Sequence, residues 1–158
     1  MFLQHHYQNA YITPDLEQGM ALFRTQYGFD NFKHLQVTQD LTVRGKRGKA
    51  TVRLALGWIG DLQYELIQPI DGLVDVYHEG GPQQGPLRFH HVCMRVHDWE
   101  QFRSDLEREK RPVVMEGGTP GQLQFVYVDA RDSVGHFLEY CWMTPERWTA
   151  MRALGKDS

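Results

Sequence analysis

The chain has 158 residues, 41% of them hydrophobic, 23% charged and 12% aromatic, with a formal net charge of -3. That length suits one domain burying roughly 68–70% of its unfolded surface, and the composition excludes a disordered chain. Seventeen basic residues against twenty acidic ones leave no excess for a polyanion, and no apolar run is long enough to span a bilayer, so neither nucleic acid nor membrane is an expected partner. The start, MFLQHHYQNAY, lacks the basic end and apolar core of a secretion signal. Two cysteines fit reduced thiols better than a framework, so the expected location is cytoplasmic.

Along the chain, YQNAYI reads as a short strand with alternating apolar residues. Thr13-Pro14-Asp15 then offers an N-cap, a proline at the first helical position and an acid in the first turn. Leu16, Met20, Phe23 and Tyr27 form one helical stripe that stops at Gly28. Strand-like runs follow at Phe32–Thr38, Leu41–Arg44, Ala50–Trp58 and Leu62–Gln68, and the basic Arg44–Lys49 segment reads as a solvated hairpin tip turning on Gly45 and Gly48. Glu79–Pro86, EGGPQQGP, reads as a linker.

Beyond it HHVCMRV reads as a strand, and Asp98 with Gln101 has capping-box spacing at the head of a helix carrying Trp99, Phe102 and Leu106. Strand runs follow at Val113–Glu116, Gln122–Asp129 and Phe137–Trp142, separated by a GGTPG loop. Thr144-Pro145-Glu146 opens a closing helix with Trp148, Met151 and Leu154 on one face. Each half therefore reads strand, helix, then about three strands. An offset of 83 superimposes Asp15 on Asp98, Glu17 on Glu100 and Gln18 on Gln101. The division is module one at 1–78, a linker at 79–86, module two at 87–143 and a helix at 144–154, all within one domain spanning 1–158.

Side chains alternate between the faces of a strand. In the strand before the second helix, Phe89, His91, Cys93 and Arg95 share one face, while His90, Val92, Met94 and Val96 share the one that suits the helix. The offset of 83 places Gln8 opposite His91 in the repeat, with His6 on the same face as Gln8. Glu65 and Glu139 each interrupt an apolar run in the last strand of their half. A carboxylate inside a sheet is costly unless hydrogen-bonded, paired or metal-bound. If the halves pack symmetrically, Gln8, Glu65, His91 and Glu139 converge on one divalent cation; alternatively Arg53, Arg88 or Arg95 neutralises the glutamates without a metal.

The segments QNAYITPDLEQGMALF, DLQYELIQPIDG, LRFHHVCMRVHDWEQF and FVYVDARDSVGHFLEYCW, taken in order, resemble the vicinal oxygen chelate superfamily of glyoxalases, methylmalonyl-CoA epimerases, extradiol dioxygenases and bleomycin-resistance proteins. The resemblance implies an α+β fold, tandem βαβββ repeats forming an eight-stranded incomplete barrel, here with a C-terminal helix. It also implies one divalent metal ion (Zn, Ni, Co, Mn, Mg or Fe) on Gln8, Glu65, His91 and Glu139, a small-molecule substrate and a homodimer. His6 in place of Gln8 would instead resemble the iron triad of a dioxygenase. With Gln8 in place, the implied chemistry is proton transfer beside a carbonyl through a metal-stabilised enediolate, with Glu139 as base and Glu65 as second candidate. Arg95 either holds a substrate carboxylate or neutralises the glutamates, and Cys93 and Cys141 line the same cavity. A bleomycin-resistance-like binding protein is the non-catalytic alternative.

Overall fold

The computed structural model describes residues 2–156. The first half comprises β1 (His6–Ile12), α1 (Leu16–Tyr27), β2 (Lys33–Val43), β3 (Lys46–Ile59) and β4 (Leu62–Gly72). After the short α2 (Asp75–His78), the second half repeats the order with β5 (Arg88–Val96), α3 (Trp99–Arg108), β6 (Val113–Thr119), β7 (Leu123–Ala130) and β8 (His136–Met143). The last helix, α4, spans Pro145–Ala153.

The eight strands form a ring in the order β1-β4-β3-β2-β6-β7-β8-β5, the α+β barrel that the resemblance implied. In both halves the first strand pairs in parallel with the last, β1 with β4 and β5 with β8. The two seams between the halves differ. β1 and β5 pair along their lengths, whereas β2 meets β6 only at Leu41–Val43. The stretch of β2 before Leu41 is left without a β6 partner, and the barrel opens there.

Helices α1 and α3 pack outside the ring. α1 buries Leu16 and Phe23 against Ala55 and Leu66, and α3 buries Leu106 beside Met94, Val126 and Leu138. Val92, Met94 and Val96 do face α3, as their alternation indicated. Inside, Ile12, Val52, Trp58, Ile67, Cys93, Met115, Phe137 and Cys141 belong to a separate core. Among the described residues, no helix is long and apolar enough to cross a membrane.

Several local expectations shift. Thr13 is still bound to the sheet, its N–H donating to the Ile67 carbonyl (2.9 Å), so the helix begins later and Asp15 is the N-cap. Asp98 and Thr144 cap α3 and α4 as expected. The runs Phe32–Thr38 and Leu41–Arg44 are one continuous strand, because every residue from Lys33 to Val43 pairs with β3. The hairpin tip is the two-residue turn Arg44-Gly45, both with positive φ, a pairing that suits strand twist. Gly48 instead lies within β3, where an added Cβ would come within 2.8 Å of Leu73. Gly117, Gly118 and Thr119 of the expected GGTPG loop extend β6.

Candidate metal centre

Two bulges build the site. The β1–β5 ladder pairs His6 with Met94, then Gln8 with Cys93; it pairs Ala10 with His91, then Tyr11 with Phe89. Tyr7 and His90 are the residues skipped, at equivalent points of the repeat. A bulge sets two residues against one and breaks strict alternation. Tyr7 and Gln8 are therefore both buried, as are His90 and His91, while His6 and Phe89 turn outward. The sequence reading put His90 on the helix-facing side; the bulge corrects this, and its ring stacks on Phe137 4.8 Å away.

Glu65 of β4 and Glu139 of β8 point toward His91. The His91 Nε2 lies 3.0 Å from Glu139 Oε2 and 3.7 Å from Glu65 Oε2. One donor atom from each of these three residues lies within 4.8 Å of the others. By geometry a single point then sits no more than about 2.8 Å from all three, a few tenths of an ångström beyond divalent metal–ligand bonds of about 2.0–2.6 Å. Burial, and then the neighbouring Glu139 charge, pushes the Glu65 carboxyl well above the usual carboxylate range. Such a pair is relieved by a cation or a proton.

None of the three arginines weighed for that role supplies the charge. Arg53 pairs with Glu17, Arg88 donates to the carbonyls of Tyr77 and Glu79, and the Arg95 guanidinium lies 4.1 Å over the Trp148 ring. The neutralising role offered for Arg53, Arg88 or Arg95 is thus not what these side chains do.

Gln8 lines the cavity that Glu65 and Glu139 also line. Its Nε2 donates to Gln63 Oε1 (2.8 Å), and Gln63 Nε2 donates to Met151 Sδ of α4 (3.3 Å). A thioether sulfur can only accept, so the order of donors along this chain is fixed. Gln8 Oε1 is left buried without a hydrogen-bond partner. An orphaned buried acceptor is costly unless something satisfies it. The donor set fits a divalent cation: one imidazole nitrogen, two carboxylates and an unpaired amide oxygen. Gln63→Leu removes the acceptor that orients Gln8, and we expect divalent-cation affinity to fall about 10–100-fold in a calorimetric titration.

The cavity, about 470 Å³, opens where β2 leaves β6, and Val37, Leu54, Phe125 and Met151 are among its walls. Cys141 lines it; Cys93 is buried 3.5 Å from the Tyr7 hydroxyl and is not part of the wall. Burial raises both thiols and the Tyr7 and Tyr127 phenols, which keeps them protonated at neutral pH. Arg95 lines a separate groove with Phe2, His5 and His97, outside this cavity. His6 is exposed, its Nε2 2.8 Å from Asn9 Oδ1, and does not join the cluster.

Sequence reasoning missed Tyr7, Gln63, His90 and Tyr127. Gln63 had a usable signal, since it shares a strand face with Glu65 two residues on.

The chain superposes on methylmalonyl-CoA epimerase from Mycobacterium tuberculosis with a TM-score of 0.61 at 13% identity, over 94% of this chain and 93% of that one. A Bacillus halodurans hypothetical protein gives 0.60 at 15% identity, over 88% and 94%. A Streptomyces coelicolor methylmalonyl-CoA epimerase variant, in complex with 2-nitronate-propionyl-CoA, gives 0.60 at 16% identity, over 89% and 95%. These likenesses are of fold. A search of functionally curated sequences finds no significant match. A family profile does match, over residues 7–127, which takes in β1 through most of β7. The chain belongs to the Glyoxalase/Bleomycin resistance protein/Dioxygenase superfamily.

Proposed function

We propose that this chain is a divalent-metal-dependent enzyme of glyoxalase or epimerase type that moves a proton at the carbon beside a carbonyl in a small oxygenated substrate. The observation that carries the reading is the orphaned Gln8 Oε1 in one cavity with Glu65 and Glu139, whose carboxylates also meet the buried His91, the four at equivalent places of two repeats. Gln8, Glu65, His91 and Glu139 would hold the cation. When bound, it supplies a Lewis acid that polarises substrate oxygens and stabilises the charge left by proton removal. Glu139 takes the proton and returns it to the same or a neighbouring carbon, with Glu65 the second candidate. Apolar walls such as Val52, Leu54, Ile67 and Phe125 keep water from the reacting carbon and strengthen the local field.

The outward turn of His6 leaves the iron-triad arrangement without its second imidazole, which favours isomerase over dioxygenase chemistry. The neighbours' acyl-CoA ligands make a thioester the first substrate class to try, with a hemithioacetal second.

The test combines elemental analysis of the purified protein with proton NMR in D₂O, using methylmalonyl-CoA and a hemithioacetal as substrates. Deuterium incorporation at carbon that stops on chelation and returns with Zn²⁺, Ni²⁺ or Co²⁺ is the expected result. Tight binding of small molecules with neither metal nor exchange would replace this reading with the non-catalytic binder. Bound iron with oxygen uptake on a catechol would replace it with the dioxygenase.

A further inference from the structure

We infer that His90 is a positioning residue that fixes the tautomer of His91, so that His91 presents the bare lone pair of Nε2 to a divalent cation; the inference rests on the metal reading above.

The argument is a chain of donors and acceptors. A backbone carbonyl only accepts, so His90 Nε2, 2.8 Å from the Val76 carbonyl oxygen, carries a hydrogen. His90 is 1% exposed, packed beside the rings of Phe137, Tyr77 and Tyr127, and its two polar contacts are that carbonyl and His91. Neither contact is a carboxylate that would hold a second proton there. A neutral His90 therefore has a lone pair on Nδ1. That atom lies 2.9 Å from His91 Nδ1, a contact that is a hydrogen bond only if His91 Nδ1 donates. Neutral His91 then has no hydrogen on Nε2.

That nitrogen is the one facing Glu139 Oε2 at 3.0 Å and Glu65 Oε2 at 3.7 Å. The Tyr127 hydroxyl, 3.4 Å away, is a long donor to it. A lone pair set this close to carboxylate oxygens calls for a positive centre between them. Metal-bound histidines commonly donate their other ring N–H to a carbonyl or carboxylate, which sets tautomer and ring orientation. Here one imidazole is interposed, and the Val76 carbonyl acts through it.

The far end of the relay is itself held. Val76 is fully buried, and Arg88 donates to the carbonyls of Tyr77 and Glu79 at 2.7 Å each, clamping the end of α2. This gives α2, a four-residue helix between the halves, a defined task. The β5 bulge is what lets two consecutive histidines reach the interior together.

Two measurements test the inference. Long-range ¹H–¹⁵N correlation spectra of metal-free, ¹⁵N-labelled wild type should show His91 protonated at Nδ1. Zn²⁺ titrations then compare wild type with His90→Phe, which keeps a ring against Phe137 but no acceptor. His90→Gln keeps an oxygen to accept from His91 and an amide to donate to Val76. Zn²⁺ affinity should fall about 10–100-fold in His90→Phe and stay within a few-fold of wild type in His90→Gln. An Nε2-protonated His91 in wild type would overturn the relay without recourse to any variant. So would His90→Phe binding Zn²⁺ as tightly as wild type. Wild type that binds no divalent cation would overturn the metal reading, and this inference with it.

Discussion

Glu139→Gln should reduce metal-dependent proton exchange by about 10²–10⁴-fold, the range that general bases contribute. The carboxamide keeps an oxygen that can face the cation but can no longer accept the substrate proton. Metal titration of the same variant therefore separates the two roles of Glu139. A modest loss of affinity with a collapse of exchange identifies the base. Exchange that falls only in proportion to metal occupancy would move the base to Glu65, which lines the same cavity and also faces His91. Both readouts come from one preparation, so a folding defect would show as loss of the titration end-point.

The second large effect is on stability. The pKa of Glu65 is raised in the folded protein, by burial first and by Glu139 second. Folded protein thus holds a proton on Glu65 at pH values where the unfolded chain, with an ordinary carboxyl near about 4.3, has released it. Stability from this group is present below the unfolded pKa and is lost as pH rises toward the raised folded value. Metal-free wild type is accordingly expected to lose more Tm between pH 5.5 and pH 8 than Glu65→Gln does, a comparison that cancels the opposite contribution of the buried His90 imidazole. A cation takes over the proton's role, so its stabilisation grows with pH.

At a hundred times its Kd, a bound cation adds about 2.7 kcal/mol, or about 5–10 °C in Tm for a chain of this size. Glu65→Gln should raise the metal-free Tm at pH 8 and remove most of the gain from metal. Equal gains in wild type and Glu65→Gln would show the cation binding elsewhere. Glu17 does not confuse the window. Its hydrogen bonds with Arg53 hold it at about 2, so it titrates well below the range compared.

Much of the fold was legible because its signals are periodic. The strand–helix–strands order of both halves, the apolar stripe of α1 and the cap at Asp98 all survive in the structure. The four candidate ligands were legible for another reason: polar residues inside apolar strands are conspicuous when they recur at matching places. What alternation hid was the pair of bulges. One extra residue leaves no mark on composition, yet it reverses the faces of everything before it in the strand. His6 and Phe89 were read inward and His90 outward on that account. Gln63 escaped because a lone glutamine announces nothing until the amide beside it is seen. α2 escaped because four residues are too few to show a helical period.

The thread from Met151 through Gln63 to Gln8 joins α4, which follows all eight strands, to β1, the first of them. During synthesis β1, β4, β5 and β8 emerge before α4, so Gln8, Glu65, His91 and Glu139 are all available while the amide of Gln8 is still free to rotate. In the proposed centre the carboxylates can therefore be in place before the amide oxygen is oriented. A nascent chain that meets a cation early would hold it with three side chains, and the arrival of α4 would tighten the grip.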